Sequence, residues 1–287
     1  MSFGISAALL TPFCADGSID RAMLRAHATG LLDDGLTRVT LFGTTGEGAS
    51  IGFTERSEAI ATVVDSGVAP TGITLGLCAC AIPDVLAQVG QGLSSGITDF
   101  LLPPPFYFKG LDDAGVFAWN AQLFRDADAR AKFILYNIPQ VTSVPLSVHL
   151  VHRLRRAFPE RVMAIKDSSG DWANTQALLK HRDIPVLVGD ERLLHKAAAL
   201  GAAGSICGMA NLYPRRLLQV FETHKEDADL CAEVDRIVSV PVIPALKLII
   251  ARITGHADWE NTRPPLQALS GQARAAIMAG MSGKVTA

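Results

Sequence analysis

Eight short apolar runs of β type, each followed by a longer stretch of helical pattern, constrain this chain more than any other feature. The runs are ISAALL (5–10), RVTLF (38–42), ITLGL (73–77), DFLL (99–102), KFILY (132–136), VMAIK (162–166), PVLVG (185–189) and GSICG (204–208). Helices are expected near 19–34, 54–66, 82–95, 111–127, 147–156, 171–181, 191–200 and 212–223. Strict alternation argues for a parallel sheet, because parallel neighbours need a crossover connection. Eight such units close a (β/α)8 TIM barrel. The alternative is an open doubly wound sheet, but no G-x-G-x-x-G follows the first run. Thr54 stands where an N-cap belongs, with Glu55 in the first turn behind it, and Asp171 precedes another helical run.

After residue 224 the pattern changes. Segments 226–238, 241–254 and 264–280 read as helices with no strands between them. The expected organisation is a barrel over 1–223 and a C-terminal three-helix extension over 224–287, packed on it. The length of 287 residues and a hydrophobic content of 49% fit one large core. A formal net charge of −2 gives no reason to expect nucleic acid or an acidic membrane as partner. The N-terminal MSFGISAALLTPF lacks a basic n-region and a long apolar stretch, so no signal peptide is read. LKLIIARI (246–253) is interrupted by Lys247 and Arg252 and is too short to span a bilayer. Five scattered cysteines, at 14, 78, 80, 207 and 231, point to reduced thiols in a cytoplasmic protein. Cys78 and Cys80 read as small strand residues rather than metal ligands. His149 and His152 lie on a helix away from the expected mouth, there is no H-E-x-x-H, and no G-x-S-x-G elbow appears. No metal is expected.

In such barrels the chemistry sits at the C-terminal ends of the strands. That rule selects GTTGEG (43–48), PPPFYFKG (103–110), Tyr136 with NIPQVTS, Lys166, GDE (189–191) and MAN (209–211). Lys166 ends an apolar run. One reading is a lysine that snorkels to the rim. The other is an amine that attacks a carbonyl, which requires the uncharged form. Tyr107 and Tyr136, two of only three tyrosines, fall at the same mouth. A phenol on the strand beside Lys166 can pass protons during carbonyl chemistry. GTTGEG does not match a Walker A motif, and its hydroxyls and backbone N–H groups suit a small carboxylate.

GTTGEG after strand 2, YNIP (136–139) after strand 5 and IKDSSGD (165–171) after strand 6 resemble the dihydrodipicolinate synthase / N-acetylneuraminate lyase family. The likeness extends to PVIPALK (241–247) in the extension. The resemblance implies a class I aldolase in which Lys166 forms a Schiff base with pyruvate or another 2-keto acid, without metal or organic cofactor. It implies that Tyr136 shuttles protons and that Gly43, Thr44 and Thr45 form the carboxylate site. It further implies that Tyr107 reaches into a neighbouring subunit's site to complete a relay with Thr44 and Tyr136, and that Ile206 lines the pyruvate pocket. A dimer of dimers is expected. The synthase branch carries an arginine for its second substrate where this chain has Val141, and a polar residue in many members where it has Gly48. In the lyase and sugar-acid branches the tail of the substrate meets positions that here are Asp167, Ser168, Gly189, Asp190 and Glu191. Asp167 and Ser168 are equally readable as caps of the next helix. The expected reaction is reversible aldol cleavage of a 2-keto-3-deoxy sugar acid, or a related hydroxy-2-keto acid, to pyruvate and an aldehyde. The alternatives are 4-hydroxy-tetrahydrodipicolinate synthase, a dehydratase or deaminase using the same imine, and a metabolite-binding regulatory protein.

Overall fold

The computed structural model describes residues 3–281, so the ends of both expected segments lie outside the described residues. Eight parallel strands close into one barrel, each pairing with the next in sequence and the eighth with the first. They are β1 (Gly4–Ala8), β2 (Arg38–Leu41), β3 (Ile73–Gly76), β4 (Asp99–Leu102), β5 (Lys132–Asn137), β6 (Val162–Asp167), β7 (Val186–Val188) and β8 (Gly204–Cys207). The open-sheet alternative is thereby excluded. The helices between them are α1 (Arg21–Asp33), α2 (Phe53–Val64), α3 (Ile82–Ser94), α4 (Asp113–Asp126), the single turn α5 (Pro139–Thr142), α6 (Val148–Ala157), α7 (Trp172–His181), α8 (Leu194–Ala199) and α9 (Pro214–Thr223). None of the helices is long and apolar enough to cross a membrane, among the described residues.

Period-2 alternation divides the apolar residues into two cores. One face of each strand packs against the helices, where Phe100, Phe124 and Phe133 stack within a continuous shell. The other face fills the barrel with Ala8, Leu101, Ile134, Tyr136, Ala164, Leu187 and Ile206. The barrel floor also holds polar groups, and Ser6 and Thr40 satisfy each other there at 2.8 Å.

Two local expectations are corrected and one holds. Thr54 is not the cap of α2: the helix starts at Phe53 from Gly52, whose N–H donates to the Glu55 carboxylate at 3.1 Å. Asp171 does cap α7, accepting from the Ala173 N–H at 2.8 Å. The expected helix 191–200 is a 3-10 turn (Glu191–Leu193) followed by α8.

The extension contains α10 (Ala228–Val238), α11 (Val242–Thr254) and α12 (Gly271–Met281). The last is shorter than its pattern implied. Pro264 and Pro265 lie in a turn closed by the Leu266 N–H donating to the Arg263 carbonyl at 2.9 Å, and the helix starts only at Gly271.

Candidate active site

Lys166 and Tyr136 are direct partners in the β5–β6 ladder. A β-bulge brings this about. Val162 pairs with Phe133, but the next pairing is Ala164 with Ile134, so Met163 is the extra residue. In sequence Val162 and Lys166 share a parity, yet Val162 packs in the outer shell and Ala164 in the barrel interior. The bulge reverses the faces beyond it and turns Lys166 inward, a known use of bulges beside functional sites. Its Nζ lies 4.2 Å from the centroid of the Tyr136 ring. Lys166 is buried, 4% exposed. No carboxylate among the described residues forms an ion pair with it.

The Tyr136 hydroxyl is 3.4 Å from Thr44 Oγ1, which joins the ends of β5 and β2. The loop holding Thr44 is tightly wound. Phe42 and Glu47 have left-handed backbone, with φ of 59° and 54°. A Cβ at Gly48 would stand 2.0 Å from the Phe42 carbonyl oxygen, so the glycine is required by packing there. Thr11 Oγ1 donates to the Gly46 carbonyl at 2.7 Å and fixes the far side of the loop.

A cavity of about 600 Å³ opens over these groups. Thr44, Thr45, Tyr136, Lys166, Ser168, Gly189, Asp190, Glu191 and Ile206, all expected from the sequence, line it together. Gly43 lines an adjoining apolar chamber of about 280 Å³ that shares Thr44 and Tyr136. Part of the cavity wall comes from the extension, through Val242, Ile243, Pro244 and Leu246. Barrel and extension therefore build the site jointly.

Two expected residues stand elsewhere. Asp167 follows Lys166 by one position and so faces the opposite side of β6. Its carboxylate accepts from Asn137 Nδ2 at 2.9 Å, Asn174 Nδ2 at 3.0 Å and Thr175 Oγ1 at 2.7 Å, anchoring the strand end to α7. Tyr107 is 76% exposed on the β4–α4 loop, edge-on to Phe108, and does not line its own chain's cavity.

The polar rim differs from residue to residue. Gly189 leaves room for Ser168, whose Oγ would lie 1.8 Å from an added Cβ. Asp190 is held by the Arg192 guanidinium at 2.9 and 2.6 Å, and Arg192 also reaches Asp235 at 2.7 Å. Glu191 is buried with Oε1 accepting the Met209 N–H at 2.8 Å. Burial raises its carboxyl above the usual range, opposed mainly by that hydrogen bond. No group of three or more His, Cys, Asp or Glu side chains converges in a metal-holding arrangement among the described residues.

Sequence reasoning missed the bulge at Met163, the extension residues in the cavity wall, and Gln140, whose Nε2 donates to the Ser168 carbonyl at 2.7 Å. Two short apolar signals in the extension, PVIP and the helix after it, were the only trace of the second.

This geometry has close relatives. The family model described as the dihydrodipicolinate synthetase family matches residues 1–282. A protein from Chloroflexus aurantiacus named "Uncharacterized DapA-like lyase" is 32% identical, over 96% of this chain and 95% of its own. A 4-hydroxy-tetrahydrodipicolinate synthase from Methanothrix thermoacetophila is 29% identical over 76% of this chain and 72% of its own. The crystal structure of dihydrodipicolinate synthase from Agrobacterium tumefaciens superposes with a TM-score of 0.94 at 41% identity, covering 98% of each chain. A likeness that runs through barrel and extension alike leaves one conclusion: this chain is a lyase belonging to the dihydrodipicolinate synthetase family.

Proposed function

We propose that the enzyme joins Lys166 to the keto carbon of pyruvate as an imine and uses it to cleave a 2-keto-3-deoxy sugar acid, or a related hydroxy-2-keto acid, reversibly to pyruvate and an aldehyde. The observation that carries this reading is the Lys166 amine beside the Tyr136 ring at the base of the cavity, 4.2 Å from its centroid, with no carboxylate in ion-pair contact among the described residues, although Glu191 feels its charge. No ion pair has to break before the amine attacks.

The amine adds to the keto carbon and water leaves, giving the imine. Tyr136 gives its phenolic proton to the hydroxide that departs as that water, and in cleavage the resulting phenolate takes the proton of the substrate's C4 hydroxyl as the C3–C4 bond breaks. The electron pair enters the protonated imine, giving the enamine, and the aldehyde departs. Protonation at C3 and hydrolysis return pyruvate and the free amine. Thr44, 3.4 Å from the Tyr136 hydroxyl, extends the proton path. Thr45 and the backbone around Gly43 hold the pyruvyl carboxylate, and Ile206 packs beside the reacting carbons. Ser168, Gly189, Asp190 and Glu191 form the wall for the hydroxylated tail; Asp167, which faces α7, fixes the strand end instead. The imine is itself the electron sink, so the reaction calls for no metal or organic cofactor. Tyr107, exposed on its own chain, reaches the relay of a second copy in a dimer of dimers.

A second reading, 4-hydroxy-tetrahydrodipicolinate synthase, is favoured by the name of the relative at 41% identity. Val141 weighs against it: it lines the cavity where a cation would have to hold a second carboxylate.

The test is intact mass after incubation with pyruvate and borohydride. A covalent adduct on the wild type that is lost in Lys166→Ala supports the imine. A folded wild type that gives no adduct overturns it. Pyruvate supplied with a panel of aldehydes then separates the readings. Condensation with aspartate semialdehyde alone replaces the first reading by the second.

A further inference from the structure

A second lysine is buried more deeply than Lys166. Lys247 of α11 is 0% exposed, and its ammonium forms an ion pair with Glu47, which is equally enclosed. The Nζ also donates to the Asn261 carbonyl at 2.7 Å and lies 4.4 Å above the Phe13 ring. The other Glu47 oxygen accepts the Arg263 backbone N–H at 3.1 Å. The Arg263 side chain donates to the Gly17 and Ser50 carbonyls at 2.8 and 2.9 Å and pairs with Glu55. Two segments of the extension thus grip one carboxylate on the β2 loop.

That carboxylate is two residues from Thr45. The Glu47 N–H donates to the Thr44 carbonyl at 3.1 Å, and the Gly48 N–H to the Gly43 carbonyl at 3.1 Å. Any displacement of Glu47 is passed directly to the carboxylate-holding residues. Such a pair is a poor device for stability alone. Taking two charges out of water costs several kcal/mol, and apolar residues of similar volume commonly do as well or better. Burial pushes Lys247 below the ordinary lysine range further than Glu47 pulls it back, so the charge is held at a net cost.

We infer that Lys247 is a positioning residue for the 2-keto acid: through Glu47 it holds the Thr44–Thr45 loop in the geometry that receives the substrate carboxylate. This rests on the imine reading above. The pair sets affinity for pyruvate, and the fold tolerates its neutral replacement.

The experiment measures the half-saturating pyruvate concentration for borohydride-trapped adduct, the limiting trapping rate, and the melting temperature. The double variant Glu47→Gln/Lys247→Met removes both charges with little change of volume. The expected result is near-wild-type melting with half-saturation raised about ten- to hundredfold and the limiting rate within a few-fold. Wild-type half-saturation in this variant overturns the inference. Where the double variant does not fold, Lys247→Arg keeps the charge and moves the nitrogen: raised half-saturation at unchanged limiting rate supports the inference, and a wild-type value overturns it. The wild type is the control for the reading beneath: no adduct there sinks the imine, whereas an adduct with unchanged half-saturation in the variants sinks only the role of Lys247.

Discussion

Lys166 and Lys247 are both buried lysines, and they differ in what surrounds the amine. Lys247 has a carboxylate, a carbonyl and an aromatic face around its ammonium. Lys166 has an aromatic face and a cavity. The first is enclosed and satisfied; the second is enclosed and available. Burial by itself therefore says little about reactivity. What separates a structural lysine from a nucleophile is whether its charge has been answered by the protein or left for a substrate to replace.

The sharpest way to break this comparison is to delete each amine. Lys166→Met should abolish pyruvate adduct formation and lower aldol activity at least about 10⁴-fold. Melting should stay within about 4 °C of wild type, because no ion pair is lost. Trapping of pyruvate on Lys247 in that variant would show that availability was misjudged. Next comes the partner of the reactive amine. Tyr136→Phe keeps the ring against Lys166 but removes the hydroxyl near Thr44, and activity should fall about 10²–10⁴-fold in steady-state assays.

Lys247→Met alone should behave in the opposite way to Lys166→Met. It leaves the Glu47 carboxylate buried without its cation, and denaturant unfolding should report a loss of about 3–5 kcal/mol. Pyruvate should still be trapped on Lys166 in the folded protein. A stable Lys247→Met that forms no adduct would erase the distinction between the two lysines.

The smallest effect concerns a third base. His27 packs edge-on to Trp259 and bonds Asn211 Oδ1 at 2.9 Å, with no acid partner among the described residues. Burial lowers its pKa from 6.5 to about 4, against the upward pull of that bond. The unfolded chain therefore binds this proton more tightly than the folded one. Stability is full above pH 6.5 and is lost as the pH falls toward about 4, by up to roughly 3 kcal/mol. Urea unfolding at pH 7 and pH 5 should show the loss, and His27→Gln should flatten it. An unchanged slope would mean that an uncompensated base is tolerated here without linkage.

The sequence was legible where a pattern is local and repeated. Eight apolar runs alternating with helical stretches specify parallel strands, because period and turn chemistry are properties of neighbours along the chain. GTTGEG, Tyr136 and Lys166 were found by the rule that barrel chemistry gathers at strand ends, with no knowledge of distance. Boundaries were less legible. The 264–280 segment was started at Pro264 although α12 begins at Gly271, and α2 was started at Thr54 although Glu55 reaches back to Gly52. Asp167 was read as a possible substrate contact from the family resemblance, although alternation along β6 sets it on the face opposite Lys166.

By itself, then, the sequence determined the barrel, the three motifs and the chemical kind of residue at the mouth. The tertiary structure decided which of those residues meet. Met163 bulges out of the β5–β6 ladder, so Lys166 turns into the barrel opposite Tyr136 and Asp167 turns out toward α7. Glu47 and Lys247, far apart in the chain, become an ion pair only once the extension folds back over the β2 loop. Pairing register and the burial of opposite charges are settled between segments distant in sequence, and no local pattern carries that information.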